Sequence, residues 1–219
     1  MKKYILFDND GVLVETEKWF YLANKRALAP LGIDLPKETY LKNMAKGISV
    51  WQYARELSVS NTDISRARDL RNQYYQDYLY TQELEIEGVL ETLRVLSADY
   101  KMAIITTSKP ADFQLIHQNR SILEHIDFYL TRQDYKQAKP HPEPYLRGLE
   151  RFGATAKETV VIEDSERGLK SAVAAGIDCI VVASDFTKTH DFSAASEQVA
   201  GFSELPSAIK ALSFQSVSS

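Results

Sequence analysis

From Gly88 onward, short apolar runs alternate with amphipathic stretches, and this alternation constrains the fold more than any other feature of the chain. Strands are expected over 101–105, 128–130, 159–162 and 179–182, and helices over 89–96, from Pro110, over 142–152 and over 166–175. Pro110 and Pro142 suit first-turn helix positions, which need no backbone donor, and Gly176 suits the residue after a helix end. Such alternation implies a parallel sheet with right-handed crossovers, a doubly wound α/β architecture. Tyr4–Phe7 adds a further buried strand near the N-terminus.

Between that first strand and about Gln82 the period is helical. Thr16 is expected to cap a helix starting at Glu17, with Trp19, Phe20, Ala23, Ala27 and Leu31 as its apolar stripe and Pro30 and Gly32 as its close. Further helices are expected over 37–45, 50–57 and 63–79, the last rich in tyrosine. The expected organisation is an α/β core of residues 1–14 and 85–219, with a helical bundle of residues 15–84 inserted after strand one. A chain of 219 residues, 44% of them hydrophobic, is long enough for this plan. Beyond Ser184 the pattern weakens, and the Ser-rich end after Leu212 is expected to fray.

Composition narrows the partners. A formal charge of −4 without a basic cluster gives no broad attraction for nucleic acid or an acidic membrane. No apolar run approaches the roughly 20 residues that span a bilayer, and Lys2-Lys3 leads into a short strand rather than a secretory segment. The expectation is a cytoplasmic monomer or weak homodimer. The single cysteine, Cys179, lies in Cys-Ile-Val-Val and reads as a small buried hydrophobe.

The polar residues that follow the apolar runs carry the chemistry. Asp8 and Asp10 are released together after Tyr4–Phe7, and Gly11 lets the chain turn at once. In an open α/β sheet, sites form at the carboxyl ends of strands, so both acids stand at such a mouth. One carboxylate can attack while its neighbour moves a proton. Asp-x-Asp-Gly also turns chains and binds ions without catalysis. Thr106 is the first hydroxyl after its strand, with Thr107 as the competing choice and Ser108 beside them. Lys139 precedes Pro140, which biases it toward extended geometry. Glu163 and Asp164 end a strongly apolar run. Like charges about 4 Å apart at an effective dielectric of about 20 repel by roughly 4 kcal/mol, so gathering these acids requires positive charge. Lys139 and a hard divalent ion bound by oxygen, Mg²⁺ above all, supply it.

Taken in order, Phe7-Asp-Asn-Asp-Gly11, Ile104-Ile-Thr-Thr-Ser108, Lys139-Pro140 and Val160-Val-Ile-Glu-Asp-Ser165 resemble the four motifs of the haloacid dehalogenase superfamily. The match covers residues 1–182, and the helical insertion resembles the cap of the subfamily that includes β-phosphoglucomutase and phosphoglycolate phosphatase. The resemblance implies Mg²⁺-dependent hydrolysis of small phosphomonoesters of the sugar phosphate or phosphoglycolate type. Asp8 is then the nucleophile, Asp10 the general acid and base, Thr106 the phosphate-binding hydroxyl, and Lys139 the neutralising cation. Asp8, Asp10 through its backbone carbonyl, and Asp164 are implied metal ligands, with Glu163 close by. Gly11, Thr107 and Ser108 are candidate substrate contacts, joined by Lys46 in the Ala45-Lys-Gly-Ile48 stretch of the insertion. A phosphosugar mutase is the alternative, although Phe20 stands where mutases carry a histidine and Ser49-Val50 where they carry an arginine. A non-catalytic binding or regulatory module on the same fold is the second alternative. His141 reads as an exposed bystander, and the polar Asn9 stands where the family often has an apolar residue.

Overall fold

The protein, seen as a computed structural model, is described over residues 1–215, with side chains described through Ser213. Its sheet contains β1 (Tyr4–Phe7), β2 (Lys101–Ile105), β3 (Phe128–Leu130), β4 (Thr159–Glu163), β5 (Asp178–Val182) and β6 (Glu197–Val199). All pairings are parallel, in the order β3-β2-β1-β4-β5-β6. Phe7 pairs with Ile104 on one side and Ile162 on the other. One residue further on, the chain leaving β1 is therefore level with Ile105 and Glu163.

On one face of the sheet, Leu6, Ile105, Val161 and Val181 pack with Tyr145 and Leu149 of α7 (Glu143–Phe152) and with Leu169 and Ala172 of α8 (Glu166–Ala174). α7 comes close because Gly148 has no side chain. A Cβ there would stand 2.9 Å from Leu6 Cδ1 and 3.1 Å from Ile105 Cδ1. Phe7 alternates to the other face, where its ring stacks 6.5 Å from Phe202. Helix α5 (Val89–Leu96) packs there with α9 (Leu205–Gln215). Helix α6 (Pro110–His117) sets Phe113 against Tyr129 of β3, ring centroids 4.5 Å apart.

Several local expectations need correction. Thr16 stands at the N-cap of α1 (Glu17–Leu28) with helical φ and ψ, and makes no side-chain capping bond. Pro142 is the N-cap of α7, and it is Pro144 that occupies the first turn. β4 runs one residue longer than its apolar run, since Glu163 continues the ladder opposite Val181. Two elements follow the weak signal after Ser184: β6 is too short and polar to show alternation, and α9 extends to Gln215. The rest of the tail expected to fray, residues 216–219, lies outside the described residues.

The chain divides into two compact units, one of residues 1–15 and the described residues from Glu85, the other of Thr16–Leu84. Within the first, Val14 bridges to Glu85 antiparallel, so the departing and returning strands of chain meet. The second holds α1, α2 (Lys37–Ala45), α3 (Gln52–Glu56) and α4 (Asn61–Thr81). There Phe20 meets Tyr75 edge-on at 5.1 Å, Trp19 lies 5.6 Å from Tyr78, and Ser60 caps α4 by accepting from Asp63 N at 3.1 Å. Among the described residues no helix is long and apolar enough to cross a membrane. The close approach of α7 yields a prediction. Gly148→Val will lower stability in urea by about 1–3 kcal/mol, whereas Leu146→Ala on the exposed face of the same helix will change it by no more than about 0.5.

Candidate active site

Because Asp8, Ile105 and Glu163 stand level on three adjacent strands, one long side chain can reach all three. Lys139, itself 5% exposed, does so. Its Nζ donates to Asp8 Oδ1 at 2.7 Å, to the Ile105 carbonyl at 2.9 Å and to Glu163 Oε1 at 2.7 Å, which uses all three ammonium protons. The ammonium also lies 4.6 Å over the Tyr145 ring. Burial alone would lower its pKa, but Asp8 and Glu163 carry it well above the ordinary lysine value.

Glu163 is fully buried and fully engaged. Its Oε1 also accepts from the Tyr145 hydroxyl at 2.7 Å, and its Oε2 accepts from Asp164 N at 3.1 Å, Ser165 N at 3.3 Å and Ser165 Oγ at 3.1 Å. Burial opposes its ionisation, yet Lys139 and these donors hold its pKa below the usual glutamate value. Gly168 on α8 is required here, since a Cβ would lie 1.7 Å from Glu163 Oε1.

Asp8 is pushed up to about 7, chiefly by burial, with Glu163 and Asp10 adding to the effect and Lys139 opposing it. Oxygens of Asp8, Glu163 and Asp164 lie within 4.8 Å of one another, an all-oxygen set suited to a hard divalent cation. Asp164 is nearly buried and accepts a long bond from Ser184 Oγ at 3.4 Å. Gly11 has a φ of 80°, and a Cβ there would stand 2.2 Å from Asp164 Oδ2, so this glycine serves both the turn and the room for Asp164.

Asp10 turns to different partners. Its Oδ2 accepts from Thr106 Oγ1 at 3.0 Å and from Ser108 Oγ at 2.6 Å. Thr106 is fully buried; its Oγ1 also accepts from Ser108 N at 3.0 Å, and its carbonyl accepts from the Tyr135 hydroxyl at 2.7 Å. Thr107 beside it is half-buried. The structure thus brings Asp8, Lys139, Glu163 and Asp164 together and ties Asp10 to Thr106 and Ser108. Lys46 belongs to the helical unit, where it is exposed at the C-cap of α2, followed by Gly47 with a φ of 67°. His141 is a correction. It is half-buried, its Nδ1 accepts from Glu143 N at 3.1 Å at the start of α7, and its carbonyl accepts from Ser171 Oγ at 2.7 Å.

Three supporting residues escaped the sequence reading. Tyr145 closes the Lys139-Pro-His-Pro-Glu-Pro run and was the most accessible of them. Tyr135 sits in a polar stretch with no pattern. His117 ends α6, and its imidazole Nε2 lies 2.8 Å from Asn9 Oδ1.

Comparisons with known proteins bear on the family and the fold. The family described as haloacid dehalogenase-like hydrolase matches residues 5–182. A phosphorylated carbohydrates phosphatase of Thermotoga maritima is 29% identical over 182 residues, 80% of this chain and 82% of its own length. A phosphoglycolate phosphatase of Nitrosospira multiformis is 26% identical over 198 residues, 86% of each chain. In fold, the chain is similar to the β-phosphoglucomutase of Clostridium difficile, with a TM-score of 0.78, 23% identity and all of both chains covered. With most of its length matched by that family and a parallel six-stranded sheet of the same fold, this chain belongs to the haloacid dehalogenase-like hydrolases.

Proposed function

We propose that the protein is an Mg²⁺-dependent phosphatase that hydrolyses small phosphomonoesters through an aspartyl-phosphate on Asp8. The observation that carries this reading is the buried ammonium of Lys139 held between Asp8 and Glu163 with Asp164 alongside. It supplies fixed positive charge beside a carboxylate at a strand end, where a phosphoryl group needs both.

In the first half-reaction a carboxylate oxygen of Asp8 attacks phosphorus in line, and the bond from phosphorus to the ester oxygen breaks. Asp10 gives its proton to that departing oxygen, oriented by the hydroxyls of Thr106 and Ser108. In the second, Asp10 takes a proton from water as the water oxygen attacks phosphorus, which frees Asp8 and inorganic phosphate. Lys139 keeps Asp8 oriented and offsets the charge of the transferring group throughout. Asp8 and Asp164, with the backbone carbonyl of Asp10, would hold Mg²⁺, which when bound supplies charge neutralisation for the phosphoryl oxygens. The five donors on Glu163 support a different part for it, as the fixed counter-charge of Lys139 close to the metal. On this reading Gly11, Thr107 and Ser108 are the proposed contacts for the phosphoryl oxygens. The substrate class, sugar phosphates or phosphoglycolate, draws support from the relatives named for those activities.

Three outcomes test this reading. Asp8→Asn will reduce phosphate release from p-nitrophenyl phosphate by at least about 10³-fold with an unchanged circular dichroism spectrum, and normal turnover would refute the nucleophile assignment. Glu163→Gln will cost about 3–5 kcal/mol in denaturant unfolding, because Lys139 is left buried with one ionised partner fewer; a loss under about 1 kcal/mol would remove Glu163 from this role. The third concerns metal and pH. Protonated Asp8 contributes stability to the metal-free protein at low pH, and that contribution is lost as pH rises through its folded value of about 7. Mg²⁺ needs the ionised form, so the rise in melting temperature on adding Mg²⁺ will be larger near about pH 8 than near about pH 5, and an equal rise at both would count against Asp8 as a ligand.

A further inference from the structure

Asn9, the residue between the two acids, is fully buried, and so is the imidazole it meets: Asn9 is 0% and His117 4% exposed. With its proton on Nε2, the His117 ring donates to Asn9 Oδ1 across 2.8 Å, while its face packs 4.4 Å from the Phe113 ring. Asn9 is also the pivot of the turn, because its carbonyl accepts from the amides of Val12 at 3.3 Å, Leu13 at 2.8 Å and Val14 at 3.2 Å. The bond is made at a cost in buried polar surface. Asn9 Nδ2 and His117 Nδ1 are buried with no hydrogen-bond partner among the described residues, and an apolar pair of similar size would avoid that penalty. What a hydrogen bond gives and an apolar contact does not is direction.

The direction matters because α6 grips the same turn a second time. The loop entering α6 carries Thr106 and Ser108, whose hydroxyls hold Asp10 Oδ2, and the last residue of α6 is His117. We propose that His117 is a positioning residue which, through Asn9, locks the Asp8–Asp10 turn to α6, so that the two carboxylates keep the separation and orientation that metal binding and phosphoryl transfer require. The inference rests on the phosphatase reading for its catalytic consequence and on the geometry alone for its effect on the acids. Burial pushes His117 down to about 4, so the ring stays neutral and its proton remains available for Asn9.

The test compares the full-length protein with His117→Leu, His117→Gln and the double variant Asn9→Leu/His117→Leu. Glutamine places an amide nitrogen where imidazole Nε2 stands, so it can remake the bond; leucine cannot. Expected for His117→Leu are a fall of about tenfold or more in kcat on p-nitrophenyl phosphate with KM little changed, and a loss of about tenfold in Mg²⁺ affinity by calorimetry. His117→Gln should recover most of both. The double variant should melt at or above His117→Leu, because no polar group is left stranded, and should remain as slow. Wild-type kcat and Mg²⁺ affinity in His117→Leu, a glutamine variant no better than leucine, or recovery of rate in the double variant would each overturn the proposal. If the wild-type protein releases no phosphate, the phosphatase reading fails, and the Mg²⁺ titration of the same four proteins still decides the role of His117.

Discussion

One buried cation organises the α/β unit. The three acceptors of Lys139 come from consecutive places in the sheet, β2, β1 and β4, and stand at one level because the strands are parallel and in register. Removing an ammonium group from water costs several kcal/mol, and that cost is offset here by the carboxylates of Asp8 and Glu163 and a carbonyl held at fixed distances by backbone ladders. The sheet therefore supplies preorganisation that a surface lysine could not have. In return, Lys139 permits Asp8 and Glu163 to share one site where their mutual repulsion would otherwise be felt.

The surrounding glycines and hydroxyls follow from that arrangement. Glu163 fills the volume that a side chain at Gly168 would need, and Asp164 fills the volume above Gly11. Tyr145 and Ser165 saturate the glutamate, so its charge stays directed at Lys139. Thr106 and Ser108 do for Asp10 what Lys139 does for Asp8, with neutral donors in place of a charged one. The two acids are one residue apart in sequence and are held by different chemistry, which suits them to different tasks.

Strands β1 to β5 and their order of appearance were legible because each is built on a short apolar run, and the acids after β1 and at the end of β4 were legible because carboxylates after such runs have few structural uses. Glu163 was harder to assign. Its place inside the ladder opposite Val181, and its saturation by Tyr145 and Ser165, arise from tertiary contacts that no local pattern encodes. β6 was missed because Glu-Gln-Val carries no alternation, and α9 was missed although Pro206 in its first turn is a start signal. His117 lies on a helix face that reads as ordinary packing, and only the fold brings it to Asn9.

The bridge between Val14 and Glu85 bears on how such a protein can change over time. Because the chain leaves and re-enters the sheet-bearing unit at paired positions, the entropy of closing the excursion depends only weakly on how many residues it contains. The segment between those two points is thus free to be lengthened, shortened or exchanged for another module while strand register, and with it the charge arrangement around Lys139, is conserved.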